Sequence, residues 1–227
     1  MASNGGSFSP LMYLLRRDIK LSFRGNSTGL TLGFFFIALT FIPFGLGPDL
    51  ALLQKLAPGL LWVALCLSVL LSLEHMFQAD IEEGGFDQFL LSPVPLELIC
   101  FTKALAHWVA VALPLVIVSP LGGIFLNIRP QDMFILIMVL MAGSLSLSFL
   151  GMVGAALAAS IVRSGFLAAL LVMPLYVPVL IFGSTALAKA FQGGAVGAEL
   201  TLLILMGLAA GFLTPLAAAA ALRARLM

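Results

Sequence analysis

The 227-residue chain is 62% hydrophobic and 9% charged, and its mean hydropathy is +1.17. Soluble domains are about a quarter charged, so this composition excludes an ordinary soluble domain and predicts an integral membrane protein. A net charge of +1 excludes the concentrated basic surface that nucleic-acid binding requires.

The first predicted element is an amphipathic helix over residues 8–26, preceded by a disordered stretch over residues 1–7. Apolar residues recur in it at three- and four-residue spacing, and Arg16, Lys20 and Arg24 form a basic row along one side. This pattern favours a helix that lies in the membrane interface, with its cations facing lipid headgroups. The alternative is a plain cytoplasmic tail.

Six apolar runs follow, each long enough to cross a bilayer as a helix. They cover residues 28–46, 57–79, 100–126, 133–160, 166–188 and 200–221. The runs lack the alternation of barrel strands, so the predicted fold class is an all-α integral membrane protein, with residues 8–227 as a single six-helix domain. An even number of spans puts both termini on one side. More cations fall on that side than on the other, which predicts that both termini are cytoplasmic.

Prolines and small residues punctuate these runs. Pro114, Pro120, Pro174, Pro178 and Pro215 each remove a backbone donor inside a predicted span, so kinks are expected and the freed carbonyls must find partners within the bundle. In the fourth run, small residues repeat at four-residue spacing, and this predicts close helix packing.

Six of the ten acidic residues lie between positions 74 and 97. The loop that joins spans two and three, residues 80–99, opens with Asp80, Glu82 and Glu83 and then places Phe86, Phe89 and Leu90 on one side of a short helix that Pro93 ends. An apolar ridge beside acid favours a docking helix for a soluble partner, and the alternative is a solvated loop with no partner. The sequence has no Gly-Lys dipeptide and hence no Walker A loop, so any ATP must be hydrolysed by another chain.

Four ionisable residues lie within or beside the predicted spans: Glu74, His75, Lys103 and His107. Ionisable groups at membrane depth are costly, so a functional role and a neutralising Glu74 to Lys103 pair are both open interpretations. Histidine can bind haem or a metal, but no ligand cluster with metal spacing accompanies these two, and we predict no metal site. No nucleophile with a base and an orienting partner can be assembled, so the chain is predicted not to be an enzyme.

Five stretches carry a recognisable pattern in their order and spacing: LAPGLLWVA (56–64), LEHMFQADIEEGGFDQFLLSPVPL (73–96), KALAHWVAVALPLVIVSPL (103–121), VRSGFLAALLVMPLYVPVLIFG (162–183) and TPLAAAAALR (214–223). Through them the chain resembles, over nearly its full length, the CcmB family of haem exporter protein B, which acts in bacterial cytochrome c maturation. The family often has Glu-Gln at the position of Asp87-Gln88, and Arg at the position of His75, which argues against a family-wide role for His75.

The resemblance implies a permease subunit of the type-2 ABC exporter kind in the bacterial inner membrane. It would be bound by a separate ATPase, CcmA, and associated with CcmC and CcmD. It would serve haem export or delivery and the release of the haem-loaded chaperone CcmE, with ATP on the partner and no cofactor of its own. The coupling residues would be Asp80, Glu82, Glu83, Phe86, Asp87, Gln88, Phe89 and Leu90.

Three other functions stay open on the sequence. One is an ABC exporter permease for a different substrate. Another is a proton-coupled secondary transporter that uses Glu74, Lys103 and His107 as a relay. The third is a passive scaffold that only holds its partners.

Overall fold

The computed structural model describes residues 8–24, 27–47, 49–82, 94–161 and 165–224. Over these residues the chain is helical and contains no strand. A short π-helical segment, Trp108–Ala112, interrupts the third span, and a 3-10 turn, Pro130–Asp132, precedes the fourth. The helices are α1 Phe8–Arg24, α2 Ser27–Leu46, α3 Leu50–Leu73, α4 His75–Glu82, α5 Leu96–His107, α6 Leu113–Phe125, α7 Met133–Ile161, α8 Gly165–Phe191 and α9 Gly197–Ala224.

Within the described residues, six helical stretches are long and apolar enough to span a membrane, as predicted, and the protein is an all-α integral membrane protein. The predicted start of span two, residue 57, was wrong by seven residues because the helix begins at Leu50. Asp49 caps this helix, and its side chain accepts hydrogen bonds from the backbone N–H groups of Ala51 and Leu52 at 3.0 Å. The polar residues Gln54 and Lys55 in the first turns had hidden this start in the hydropathy pattern.

Helix α7 forms span four and lies at the centre of the bundle, where it packs against spans two, three, five and six. Span one is mostly exposed on the outside of the bundle, against spans two and three. The predicted helix at residues 8–26 is present as α1, which packs on α5. Its place at the membrane surface stays a prediction.

Small residues bring the central helices together around Trp62. The indole ring is fully buried between Gly143 of span four and Gly183 of span five. A Cβ atom at Gly183 would lie 2.2 Å from the ring, and one at Gly143 would lie 2.3 Å from it. Because lipid supplies no hydrophobic drive between helices, this close approach provides the dispersion contact that holds the spans together.

Two carbonyls that prolines leave without a partner are satisfied by hydroxyl groups, as the sequence required. Pro114 cannot donate to the Ala110 carbonyl, and Thr28 Oγ1 of span one donates to it at 2.9 Å. Pro120 cannot donate to the Val116 carbonyl, and Ser119 Oγ donates to that oxygen at 2.7 Å. The first of these bonds joins two spans, so Pro114 ties the peripheral helix α2 to span three.

The two ends of the bundle are distinct. At the end that holds α1 and the last turn of α9, which we call the termini end, Arg223 Nη2 donates to Glu97 Oε1 at 2.7 Å. At the opposite end, Arg129 Nη2 donates to the carbonyl of Phe191 at 2.6 Å. The described part of the loop between spans two and three is at the termini end, where α4 leaves the bundle and α5 enters it.

Candidate functional site

Four charged side chains from three helices meet at the termini end of the bundle. Arg17 and Asp18 come from α1, Asp80 from α4 and Lys103 from α5. Each acid contacts both cations: Asp18 lies 2.9 Å from both Arg17 Nη2 and Lys103 Nζ, and Asp80 pairs with the same two groups. We call these four residues the charge ring; it contains two positive and two negative charges and has no net charge.

Two members of the charge ring are almost completely withdrawn from solvent. The side chains of Asp80 and Lys103 are each 2% exposed, whereas that of Arg17 is 30% exposed. Removing one partner of a buried ion pair typically costs about 3–5 kcal/mol, because the other charge is left without compensation. Lys103 is further held by the Met76 carbonyl at 3.4 Å and by the face of the Phe77 ring, 5.4 Å from Nζ.

Arg17 joins the ring despite partial burial. Burial alone would lower the pKa of its guanidinium, but the charge of Asp18 and the hydrogen bond and charge of Asp80 outweigh it, so the pKa lies above its ordinary value. Arg17 therefore stays positively charged wherever the ring is intact.

A cavity of about 320 Å³ lies beside the charge ring. It is bounded by α1, the start of α2, the end of span two and the upper part of span three. Besides the four ring residues, its polar lining consists of Ser22, Ser27, Ser72, His75 and His107. A polar cavity of this kind gives the side chains around it room to rearrange.

His107 lies on the floor of this cavity and links three spans. Ser72 Oγ donates to the Val69 carbonyl at 2.6 Å, so its oxygen accepts from His107 Nε2 at 2.7 Å. His107 Nδ1 in turn accepts from the hydroxyl of Ser148 at 3.2 Å. Both ring nitrogens are thus hydrogen-bonded within the bundle.

The π-helical segment begins directly after His107. The backbone N–H of Leu113 bonds to the carbonyl of Trp108, five residues back, and the Trp108 indole donates to Ser144 Oγ at 3.1 Å. Single-turn π segments are rare and are frequent at functional sites. Span three therefore has an irregular turn one helical turn below Lys103.

The structure brings some of the predicted polar residues together and separates others. Lys103, His75 and His107 all line the cavity. The predicted pairing of Glu74 with Lys103 is wrong, because Lys103 pairs with Asp18 and Asp80 while Glu74 is exposed. Arg17 and Asp18 were missed, although a lone acid on an otherwise basic helix was a usable signal.

The predicted coupling segment is described only at its two edges. Asp80, assigned to the coupling segment, is buried and pairs with Arg17 and Lys103. Glu82 is the last residue of α4. The other predicted coupling residues, Glu83, Phe86, Asp87, Gln88, Phe89 and Leu90, lie outside the described residues. Glu97, at the far edge, pairs with Arg223 of α9.

The opposite end of the bundle carries ion pairs of another kind. Lys189 pairs with Glu199 across the turn between spans five and six, and Arg129 Nε lies 2.7 Å from Asp132 Oδ2 within one short connection. The cations are 52% and 44% exposed. A cavity of about 350 Å³ at this end is lined by Arg129 and Lys55.

Comparison with known proteins extends over almost the whole chain. The family model described as "CcmB protein" matches residues 9–225. The chain is similar to "Heme exporter protein B" of Paracoccus denitrificans, with 44% identity over 214 residues that cover 94% of this chain and 98% of the relative. It is likewise similar to the proteins of that name from Bradyrhizobium diazoefficiens, at 43% over 94% and 97% of the two chains, and from Escherichia coli K12, at 37% over 92% and 96%.

Proposed function

The chain belongs to the CcmB protein family, and on that premise we propose that it is the permease subunit of an ABC-type haem exporter in bacterial cytochrome c biogenesis. The observation that carries this proposal is the match to curated relatives named heme exporter protein B, over 92–94% of this chain. A match of this extent includes all six spans and both connections at the edges of the coupling segment.

The energy for export comes from a separate ATPase. The chain has no Gly-Lys dipeptide and hence no Walker A loop. A CcmA-like ATPase binds the cytoplasmic face, and the segment around residues 80–99 docks into it, with Phe86, Phe89 and Leu90 as apolar anchors and the flanking acids fixing the register. This chain is then a non-catalytic subunit with no cofactor of its own.

The assembly also includes CcmC-like and CcmD-like membrane subunits in the bacterial inner membrane. ATP hydrolysis on the partner drives haem delivery and the release of the haem-loaded chaperone CcmE. In the plane of the membrane, the exposed apolar faces of spans one and five, which include Ile37, Phe41, Val177 and Ile181, offer surface to lipid and to such subunits.

Exchange of two aromatic residues tests the docking. We expect the double variant Phe86→Ala, Phe89→Ala to lose most of the ATPase that co-purifies with the wild-type chain, because apolar anchors carry most of the energy of an interface. The matched control is Phe41→Ala, Phe44→Ala, which removes two aromatic side chains that are 66% and 81% exposed on span one. Full retention of the ATPase by the first variant would contradict the proposal.

The alternative from a different class, a proton-coupled transporter, receives little support from the described residues. A relay needs its members within reach of one another, yet Lys103 is engaged by Asp18 and Asp80, and Glu74 is exposed. An export activity that persists without ATP and follows a proton gradient would favour this alternative.

A further inference from the structure

The charge ring closes the base of the predicted coupling segment. Asp80 lies in the last turn of α4, two residues before the described chain stops at Glu82, and Lys103 lies on α5, which begins at Leu96 near the end of the segment. Their ion pair joins the incoming and outgoing helices at a depth where both side chains are 2% exposed. The pair therefore links a displacement of the segment's incoming helix directly to span three.

Helix α1 is tied to the same point although it is distant in sequence. Arg17 contacts Asp80, and Asp18 contacts Lys103, across sequence separations of 63 and 85 residues. Because each acid is shared by both cations, moving one helix alone would leave a buried charge without its partners, which is costly. The three helices α1, α4 and α5 are thus favoured to move as one unit.

Space and an irregular turn lie where such a unit would have to move. The cavity of about 320 Å³ lies directly beside the ring, between α1 and spans two and three. The π-helical segment begins about one turn after Lys103, and Pro114 follows two residues after its end; both weaken the regular helical bonding of span three. Bends in helices occur at such π segments and prolines.

From these observations we infer that Arg17, Asp18, Asp80 and Lys103 are positioning residues for energy coupling, and that α1 is a working part of the transmission between the ATPase and span three. This inference rests on the proposed function, since it specifies how the docked segment acts on the bundle. It differs from a merely structural role in one respect: when the ion pairs of the ring are removed, the ATPase should stay bound while export falls.

The ring can be cut in two ways without leaving an unpaired charge. The double variant Arg17→Gln, Asp18→Asn releases α1 and leaves the Asp80–Lys103 pair intact. The double variant Asp80→Asn, Lys103→Gln releases α4 from α5 and leaves the Arg17–Asp18 pair at 2.9 Å. The matched control is Lys189→Gln, Glu199→Gln, which removes an ion pair at the opposite end.

The experiment measures three quantities for each variant: the ATPase that co-purifies from native membranes, ATP turnover by the complex, and mature cytochrome c formed in a strain that lacks the wild-type gene. We expect both ring variants to keep the ATPase bound but to yield about five- to tenfold less cytochrome c per ATP hydrolysed, the size of a typical coupling effect. The control should match the wild type in all three.

The outcomes distinguish a failure of the proposed function from a failure of the role inferred for the charge ring. If the wild-type chain brings down no ATPase, the proposed function fails and this inference fails with it. If the wild-type complex couples ATP to cytochrome c and both ring variants do so equally well, the inference alone is overturned. Output that falls only in proportion to the amount of complex recovered would also overturn it, because a structural role predicts that result.

Discussion

The two ends of the bundle both hold ion pairs, but they hold them at different depths and with different connectivity. At the termini end, four charges from three helices share their partners, and Asp80 and Lys103 are each 2% exposed. At the opposite end, Lys189 and Arg129 each pair with one acid among the described residues, and their side chains are about half exposed, whereas those of the two acids are 10% exposed. The first arrangement joins segments far apart in sequence, whereas the second joins short connections to themselves.

This difference shows that the energetic cost of breaking an ion pair in a membrane protein depends on how deeply its charges are buried. When an ion pair with a half-exposed cation is broken, water can still solvate that cation, so breaking it costs less than breaking a pair with both partners buried. A buried, shared set is costly to form and costly to break, so it fixes the relative positions of the helices that supply it. The end with the buried set is also the end where the chain leaves the bundle for the predicted docking segment.

The largest expected effect tests directly whether the two ends of the bundle differ in the cost of losing a cation. Lys103→Met removes one cation and leaves Asp18 and Asp80 to share Arg17, so we expect unfolding in mixed detergent micelles to become easier by about 3–5 kcal/mol. The matched change at the other end, Lys189→Met, should give a clearly smaller shift of the unfolding midpoint, because Lys189 is half exposed, although the change leaves Glu199, which is 10% exposed, without its cation. Similar shifts for the two variants would show that the ends do not differ as described.

A smaller effect concerns the packed centre that joins the two ends. Gly183→Ala would place a Cβ atom 2.2 Å from the buried Trp62 ring, so overpacking should destabilise the protein by about 1–3 kcal/mol in the same unfolding assay. The control is Gly211→Ala, where a Cβ atom meets nothing within 4 Å. A neutral Gly183→Ala variant would mean that spans two and five can separate, and the ends would then be mechanically independent.

The smallest expected effect concerns the hydrogen bond that joins span one to span three. Thr28→Val removes the hydroxyl that serves the Ala110 carbonyl across two helices, and we expect a loss of about 0.5–1.5 kcal/mol. Thr31→Val is the matched control, because the hydroxyl of this equally buried residue bonds to Ser27 within its own helix. Equal losses would argue that the interhelical bond has no special weight.

Much of the fold followed from local patterns. Hydropathy located all six spans, and four-residue spacing located α1, because the free energy of moving a long apolar run into lipid exceeds every other local preference. The start of span two was misplaced because Asp49 begins the helix through capping, an effect that hydropathy does not register. The prolines correctly predicted that backbone carbonyls would need other hydrogen-bond donors. They did not identify Thr28 as one of those donors.

The charge ring could not be predicted in the same way. Their positions on neighbouring helices made Glu74 a reasonable partner for Lys103, but Lys103 pairs with Asp18 and Asp80 instead. The choice depends on how α1 lies across the end of the bundle, which is a contact between residues 85 positions apart. Asp80 was grouped with the acids of the coupling segment because its sequence neighbours are acidic, whereas its spatial neighbours are the cations Arg17 and Lys103.

The sequence by itself determined that this chain crosses a membrane six times, that it carries an amphipathic helix before the first span, and, through its motifs, which family it resembles. These features depend on composition and on near neighbours along the chain. Only the tertiary structure decided which charges meet, which end of the bundle buries them, and which carbonyls the hydroxyl groups satisfy. Those outcomes depend on the packing angles of separate helices, and small residues such as Gly143 and Gly183 set these angles by allowing close approach.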